Sequence, residues 1–345
     1  MADLLEARIR TGRSTRNRRA HLVTAALAVV ASALFVVTMM VGSYPVSAVD
    51  VIASVLHLRD NPSVDFIVRD LRLPTAAAGA AVGVALGISG LLFQRLLGNP
   101  LASPDFVGVS SGASLFAVSA IVLFDASSTV ISGSALLGAL LSASLIYVLA
   151  WRDGISGYRF ILIGIGISQL MLSLVGYIVA HASIYEAREA MTWLVGTVGQ
   201  AGSGELRTLL VALAILLPLV LVLDRPLRAL ELGDDTAKAL GARVELNRFG
   251  LIAVSIVLIG FAVAVAGPIM FVALVAGPIA QRLVGRGAGG IAAAGCVGAI
   301  ITLGADLVAH QVLPTDLPTG VITGLVGAPY LIWLLVTVNK EGRGG

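Results

Sequence analysis

Ten apolar runs, each close to the ~20 residues a helix needs to cross roughly 30 Å of hydrocarbon, fill most of this chain. They lie near residues 20–42, 73–94, 106–124, 130–151, 158–180, 206–223, 247–267, 268–285, 290–311 and 319–337. Within hydrocarbon every backbone N–H and C=O must find its partner inside its own helix or in a closed barrel, so runs of this length predict an all-α polytopic membrane protein. Composition agrees: 57% of residues are apolar and 12% charged, which excludes an ordinary soluble domain. The seventh and eighth runs adjoin, and Gly267-Pro268 divides them, because proline interrupts the hydrogen-bond ladder and restrains the residue before it. A continuous kinked helix there would leave nine runs and put the C-terminus outside.

Charge sets the orientation. With ten spans and the N-terminus inside, 18 of the 23 Lys and Arg fall in cytoplasmic segments and span ends, six of them among the first 19 residues. The positive-inside rule then places both termini in the cytoplasm. The first run is longer than a typical signal-peptide core and lacks an obvious cleavage site, so it reads as a retained span. The expected organisation is a basic cytoplasmic segment over 1–19, a ten-helix domain over 20–337 and a cytoplasmic tail over 338–345.

Several chemistries are excluded. A phosphate-binding loop ends in Gly-Lys-[Ser/Thr], whereas the two lysines, Lys238 and Lys340, follow Ala237 and Asn339. ATP-driven work must therefore come from another chain, which would hold the ATP and magnesium. The four histidines, His21, His57, His181 and His310, are scattered, Cys296 is alone, and neither a metal site nor a disulfide is expected. No catalytic pair is evident, so the chain does not read as an enzyme, and nucleic acid is not among its expected partners. Gly79, Gly83 and Gly87 share one face of the second run and predict close helix packing.

The breaks between runs carry the information. In GNPLASPDFVGVSSGAS at 98–114, Gly98 and Asn99-Pro100 should end the second span, while Ser103 caps and Pro104 starts the third. In DRPLRALELGDDTAKALGARVEL at 224–246, Pro226 suits the first turn of a short helix, Asp234 or Asp235 the cap of another near 235–240, and Gly241 its end. Asp306 and His310 stand four apart, on one helical face, and permit a pair; an ionisable group within a span is either such a packing partner or lines a path.

LRLPT at 71–75, the 98–114 stretch, LELGDDTAKALGA at 230–242, AGPIMFVALVAGP at 266–278 and GADLVAHQVLPTDLPTGVITGLVGAPY at 304–330 occur in a characteristic order. Together they resemble the iron-siderophore and vitamin B12 uptake permeases, the membrane subunits of type II ATP-binding-cassette importers, over roughly residues 20–337. Such importers pair two ten-helix subunits in the bacterial cytoplasmic membrane with two cytoplasmic ATPases and an extracytoplasmic binding protein. The resemblance implies coupling helices over 225–241 that seat in the ATPase, carried by Leu232, Gly233, Asp234, Asp235, Leu240 and Gly241. It implies a cytoplasmic gate at Asn99 and Leu101, completed by Ser156 and Gly157 between the fourth and fifth spans.

On the outer side the family docks acidic groups of the binding protein on basic ones. Arg72 matches its first arginine, Thr75 replaces the second, and His310 stands where an arginine is common. Gly277-Pro278 departs from the Pro-His usual in relatives. AWRDGISGYRFILIGIGIS at 150–168 and LGDDTAKALG at 232–241 look most like the ferric enterobactin branch, whose permeases work as paralogous pairs. A ferric siderophore is the implied cargo, with cobalamin and haem as alternatives. An ion-coupled secondary transporter using Asp306 is a competing class that leaves the 224–246 loop without purpose.

Overall fold

The computed structural model describes residues 2–59, 61–152, 157–285 and 290–341, which are helical almost throughout, with no β-strand among them. In chain order the helices are α1 (Ala2–Met40), α2 (Ala48–Val55), α3 (Pro62–Asp65), α4 (Leu73–Leu97), α5 (Val109–Phe124), α6 (Ser128–Ala150) and α7 (Gly157–Ala180). There follow α8 (Ile184–Val195), α9 (Ser203–Leu230), α10 (Asp234–Ala239), α11 (Val244–Ala266), α12 (Val272–Val284), α13 (Ile291–Leu307) and α14 (Thr319–Glu341). Each apolar run coincides with one of these. Among the described residues seven helical segments are long and apolar enough to cross a membrane, and Val109–Phe124, Val272–Val284 and Thr319–Leu334 are shorter apolar helices. The basic N-terminal segment is continuous with the first run in α1, and a π-helical stretch, Phe66–Arg72, joins α3 to α4.

Burial sorts the helices into axis and periphery. Buried residues make up 83% of the most apolar stretch of Pro62–Leu97 and 72% of that of α11, against 17% for α7 and 6% for α1. Helix α4 therefore runs through the centre, and its small residues explain how. A methyl at Gly83 or Gly87 would overlap the α13 carbonyls of Gly298 or Ala294, and one at Gly90 would overlap the Ala273 carbonyl of α12. Backbone contact this close brings polar groups into reach: Thr302 Oγ1 donates to Gly79 O at 2.7 Å and Ser89 Oγ to Ser255 O at 2.7 Å. In hydrocarbon, where apolar burial gives no advantage over lipid, such packing and interhelical hydrogen bonds hold helices together.

Gly267-Pro268 does separate two helices. Helix α11 stops at Ala266, Gly267 takes a φ of +69°, and the Ala266 carbonyl accepts the Thr197 N–H at 2.7 Å. Inside α12, Pro278 has no N–H to give the Leu274 carbonyl one turn back. The Gln94 amide of α4 fills that vacancy, donating Nε2 to Leu274 O at 2.8 Å. Gly277 leaves room for it, since a methyl there would overlap Gln94 Oε1.

Candidate functional site

Two connectors meet at one end of α4. At its last turn Gly98 adopts a φ of +61°, its N–H reaches Arg95 O at 3.3 Å, and the Asn99 N–H returns to Gln94 O at 3.0 Å. These bonds use carbonyls that a helix end leaves unpaired. The Asn99 side chain then accepts the Leu101 N–H at 2.9 Å, folding the chain tightly over Pro100. Of the predicted gate residues, Asn99 and Leu101 thus share one turn, and Gly157, the first residue of α7, packs beside Leu97, two residues before Asn99. Ser156 lies outside the described residues.

The third span begins later than the sequence suggests. Ser103 caps a 3-10 turn over Pro104–Val107, and Gly108 at a φ of +98° breaks it before α5 starts at Val109. The break is held from outside: Ser142 Oγ of α6 donates to Gly108 O at 2.7 Å. Asp105, in this turn, accepts a short hydrogen bond from Ser110. Burial pushes its carboxyl up to about 6, against the lowering effect of the Ser110 and Ser103 hydroxyls. It stands at the edge of a cavity of about 490 Å³, lined also by Ser111, Ser114, Ser168, Gln169 and Met270. Sequence reading did not single Asp105 out.

The 224–246 segment also differs in detail. Pro226 does not open a separate helix; it lies inside α9, which runs on to Leu230. Buried Leu227 and Leu230 and the ion pairs of Asp224 hold this last stretch helical despite the lost hydrogen bond. Neither Asp234 nor Asp235 caps α10, whose N-cap is Gly233 at a φ of +95°. The Asp234 carboxylate is drawn instead to Arg248 of α11 at 2.7 Å. Gly241, at a φ of +80°, follows α10 as expected. Ala237 is fully buried and anchors the short helix, whereas Leu232 and Leu240 stand 61% and 65% exposed.

Arg95 joins the two connectors. From α4 its Nε reaches Glu231 Oε1 at 2.6 Å, Nη2 reaches Glu231 Oε2 at 3.2 Å and Nη1 reaches Asp224 Oδ1 at 2.9 Å. Only 7% of the side chain is exposed. Because Glu231 is 37% exposed, leaving one member of this set unpaired costs less than the about 3–5 kcal/mol of a fully buried pair. Neither Arg95 nor Gln94 was singled out from the sequence, because their partners lie far along the chain.

The predicted outer residues are engaged within the chain. Arg72 donates to Met39 O at 2.8 Å, Met40 O at 3.2 Å and Tyr44 O at 2.6 Å, capping the end of α1. Thr75 Oγ1 turns back to Leu71 O at 3.4 Å. The Asp306–His310 pair forms, Nδ1 to Oδ1, at 3.2 Å, and Asp306 Oδ1 also accepts Thr319 Oγ1 at 3.0 Å, tying α13 to the start of α14. Among the described residues no group of three or more metal-ligating side chains is assembled.

Residues 27–337 match the model of the FecCD transport family. The ferric enterobactin transport system permease protein FepG of Escherichia coli (strain K12) is 39% identical over 280 residues, 81% of this chain and 85% of that protein. The hemin transport system permease protein HmuU of Yersinia pestis is 35% identical, covering 80% of this chain and 84% of that one. Among solved structures, a metal-chelate type ABC transporter in an inward-facing conformation superposes with a TM-score of 0.80 at 26% identity, over 92% of this chain and 99% of the other.

Proposed function

This chain belongs to the FecCD transport family, and from that premise we propose that it is the membrane permease subunit of an ABC importer carrying a ferric siderophore across the bacterial cytoplasmic membrane. A separate ATPase supplies the energy, binding ATP and magnesium itself, and an extracytoplasmic binding protein delivers the cargo. The observation that carries the reading is the junction at the end of α4. There a tight turn suited to a gate is tied by Arg95 to a loop that presents exposed Leu232 and Leu240 at either side of a short helix. Exposed leucines at the edge of a polar loop suit a protein groove.

In this reading Asn99, Leu101, Ser156 and Gly157 form the gate, and Leu232, Gly233, Asp234, Asp235, Leu240 and Gly241 contact the ATPase. Arg72 and His310 face the binding protein, and Asp306 is a packing partner that orients His310. All ten apolar helices span, with both termini in the cytoplasm. Reporter fusions check this: both ends should report the cytoplasm and a reporter near Tyr185 the outside, whereas an external C-terminus would refute the ten-span arrangement.

The chain acts beside a paralogous permease, with two ATPases. Support comes from Thr75 and His310, which stand where the family commonly carries arginines and leave its outer face weakly basic. A paralogue richer in arginine would restore attraction for one lobe of the binding protein. In reconstituted vesicles, uptake of a ferric siderophore should need internal ATP, the binding protein and the paralogue, and should continue when an ionophore collapses ion gradients. Loss of uptake to the ionophore at constant ATP would mark an ion-coupled transporter. Full uptake without the paralogue would mark a homodimer.

A further inference from the structure

We infer that Arg95 is the positioning residue through which movement of the ATPase-facing loop reaches the cytoplasmic gate. The inference rests on the proposed assignment of Leu232–Gly241 to ATPase contact and of Asn99 and Leu101 to the gate. Arg95 lies in the last turn of α4, three residues before Gly98, with 7% of its side chain exposed. Two prongs of its guanidinium grip the two oxygens of Glu231, at the end of α9 and one residue before Leu232. A third holds Asp224, whose other oxygen takes Arg228 at 2.6 Å.

This is a rigid linkage. A planar guanidinium engaged on both oxygens of a carboxylate fixes angle as well as distance, which a lysine ammonium cannot do. If Glu231 shifts with the loop, the last turn of α4 must shift with it or lose a buried ion pair. Beyond Arg95 the chain is free to respond: Gly98 has a left-handed backbone, and the space where its side chain would stand is open. Before Arg95 it is not free, because Gln94 is bonded to Leu274 O and Gly90 is pressed against Ala273. Motion entering at Glu231 is therefore delivered to Gly98 and the Asn99–Leu101 turn, not dissipated along α4.

The test uses the assembled transporter in liposomes, with Leu101→Cys in a Cys296→Ser background and a maleimide as the probe. With Arg95 present, magnesium-ATP should change the labelling rate at position 101 by at least about five-fold, the scale of ordinary coupling between sites. In Arg95→Gln that change should vanish while ATP hydrolysis continues, and Arg95→Lys should recover only part of it. An equal ATP-dependent change in Arg95→Gln overturns the inference. If Arg95→Gln does not assemble, Glu231→Gln carries the test, since it removes the charge of the half-exposed partner and leaves Asp224 in place; an undiminished change there overturns the inference equally. Failure of the underlying assignment looks different: position 101 would not respond to ATP even with Arg95 intact, or a Leu240→Asp, Gly241→Asp variant would still retain the ATPase.

Discussion

Replacing Leu240 and Gly241 together with aspartate is expected to leave the protein folded in the membrane while ATP-driven uptake falls by more than about ten-fold. The fold is spared because Leu240 is 65% exposed and the space beside the Gly241 Cα is open. A left-handed residue other than glycine costs only about 1–2 kcal/mol. Binding is not spared. Two carboxylates would enter a protein groove that the native residues meet with an apolar side chain and bare backbone, and each desolvated group without a partner costs about 2 kcal/mol or more. Their charges would also stand at the C-terminal end of α10, where the helix dipole disfavours anions. Capture of the ATPase on the tagged permease, measured beside uptake, checks this. Undiminished capture and uptake would remove the 225–241 segment from the coupling role.

The second large effect falls on the fold itself. Gly90→Val should reduce the amount of folded protein in the membrane by at least about five-fold, because overpacking by even a small side chain costs about 1–3 kcal/mol and such losses alter abundance several-fold. The obstacle at Gly90 is backbone: the Ala273 carbonyl and Cα occupy the place of the new side chain. Helix α12 cannot retreat, since Ala273 and Leu274 are buried and Leu274 O is held by Gln94. Gly176→Val on α7 is the control, for nothing lies within 4 Å of a methyl at that position. Equal membrane levels of the two variants would contradict the close approach of α4 and α12.

What the sequence made legible were features with local causes. Each of the ten apolar runs coincides with a helix, Gly267-Pro268 marked a true break, and Gly98 and Gly241 close helical turns as their freedom at positive φ predicts. The glycine face at 79, 83 and 87 announced close packing, and α13 packs there. Misread positions were those where a distant residue decides. Asp234 is a good cap in isolation, but Arg248 outbids the backbone for its carboxylate. Pro226 is a plausible helix start until the pairing of Arg95 with Asp224 and Glu231 holds α9 together past it. Arg95 and Gln94 carried no local signal at all. One local signal went unused: Ser183 and Glu186 form a capping box that opens α8, and the Ser-x-x-Glu spacing is written in the chain.

The bond between Gln94 and Leu274 has an implication for how this sequence can vary. A proline at 278 strands the carbonyl of residue 274; a proline one place earlier would strand that of Ala273 instead, which faces Gly90, a residue with no side chain to offer. The proline of α12 and the amide of α4 are thus set in matching register. In hydrocarbon, where an unpaired peptide group costs several kcal/mol, neither is a free choice. Replacing Gln94 while Pro278 stays would leave Leu274 O without its donor, so the proline at 278 and the amide at 94 form one device written at two distant points in the chain.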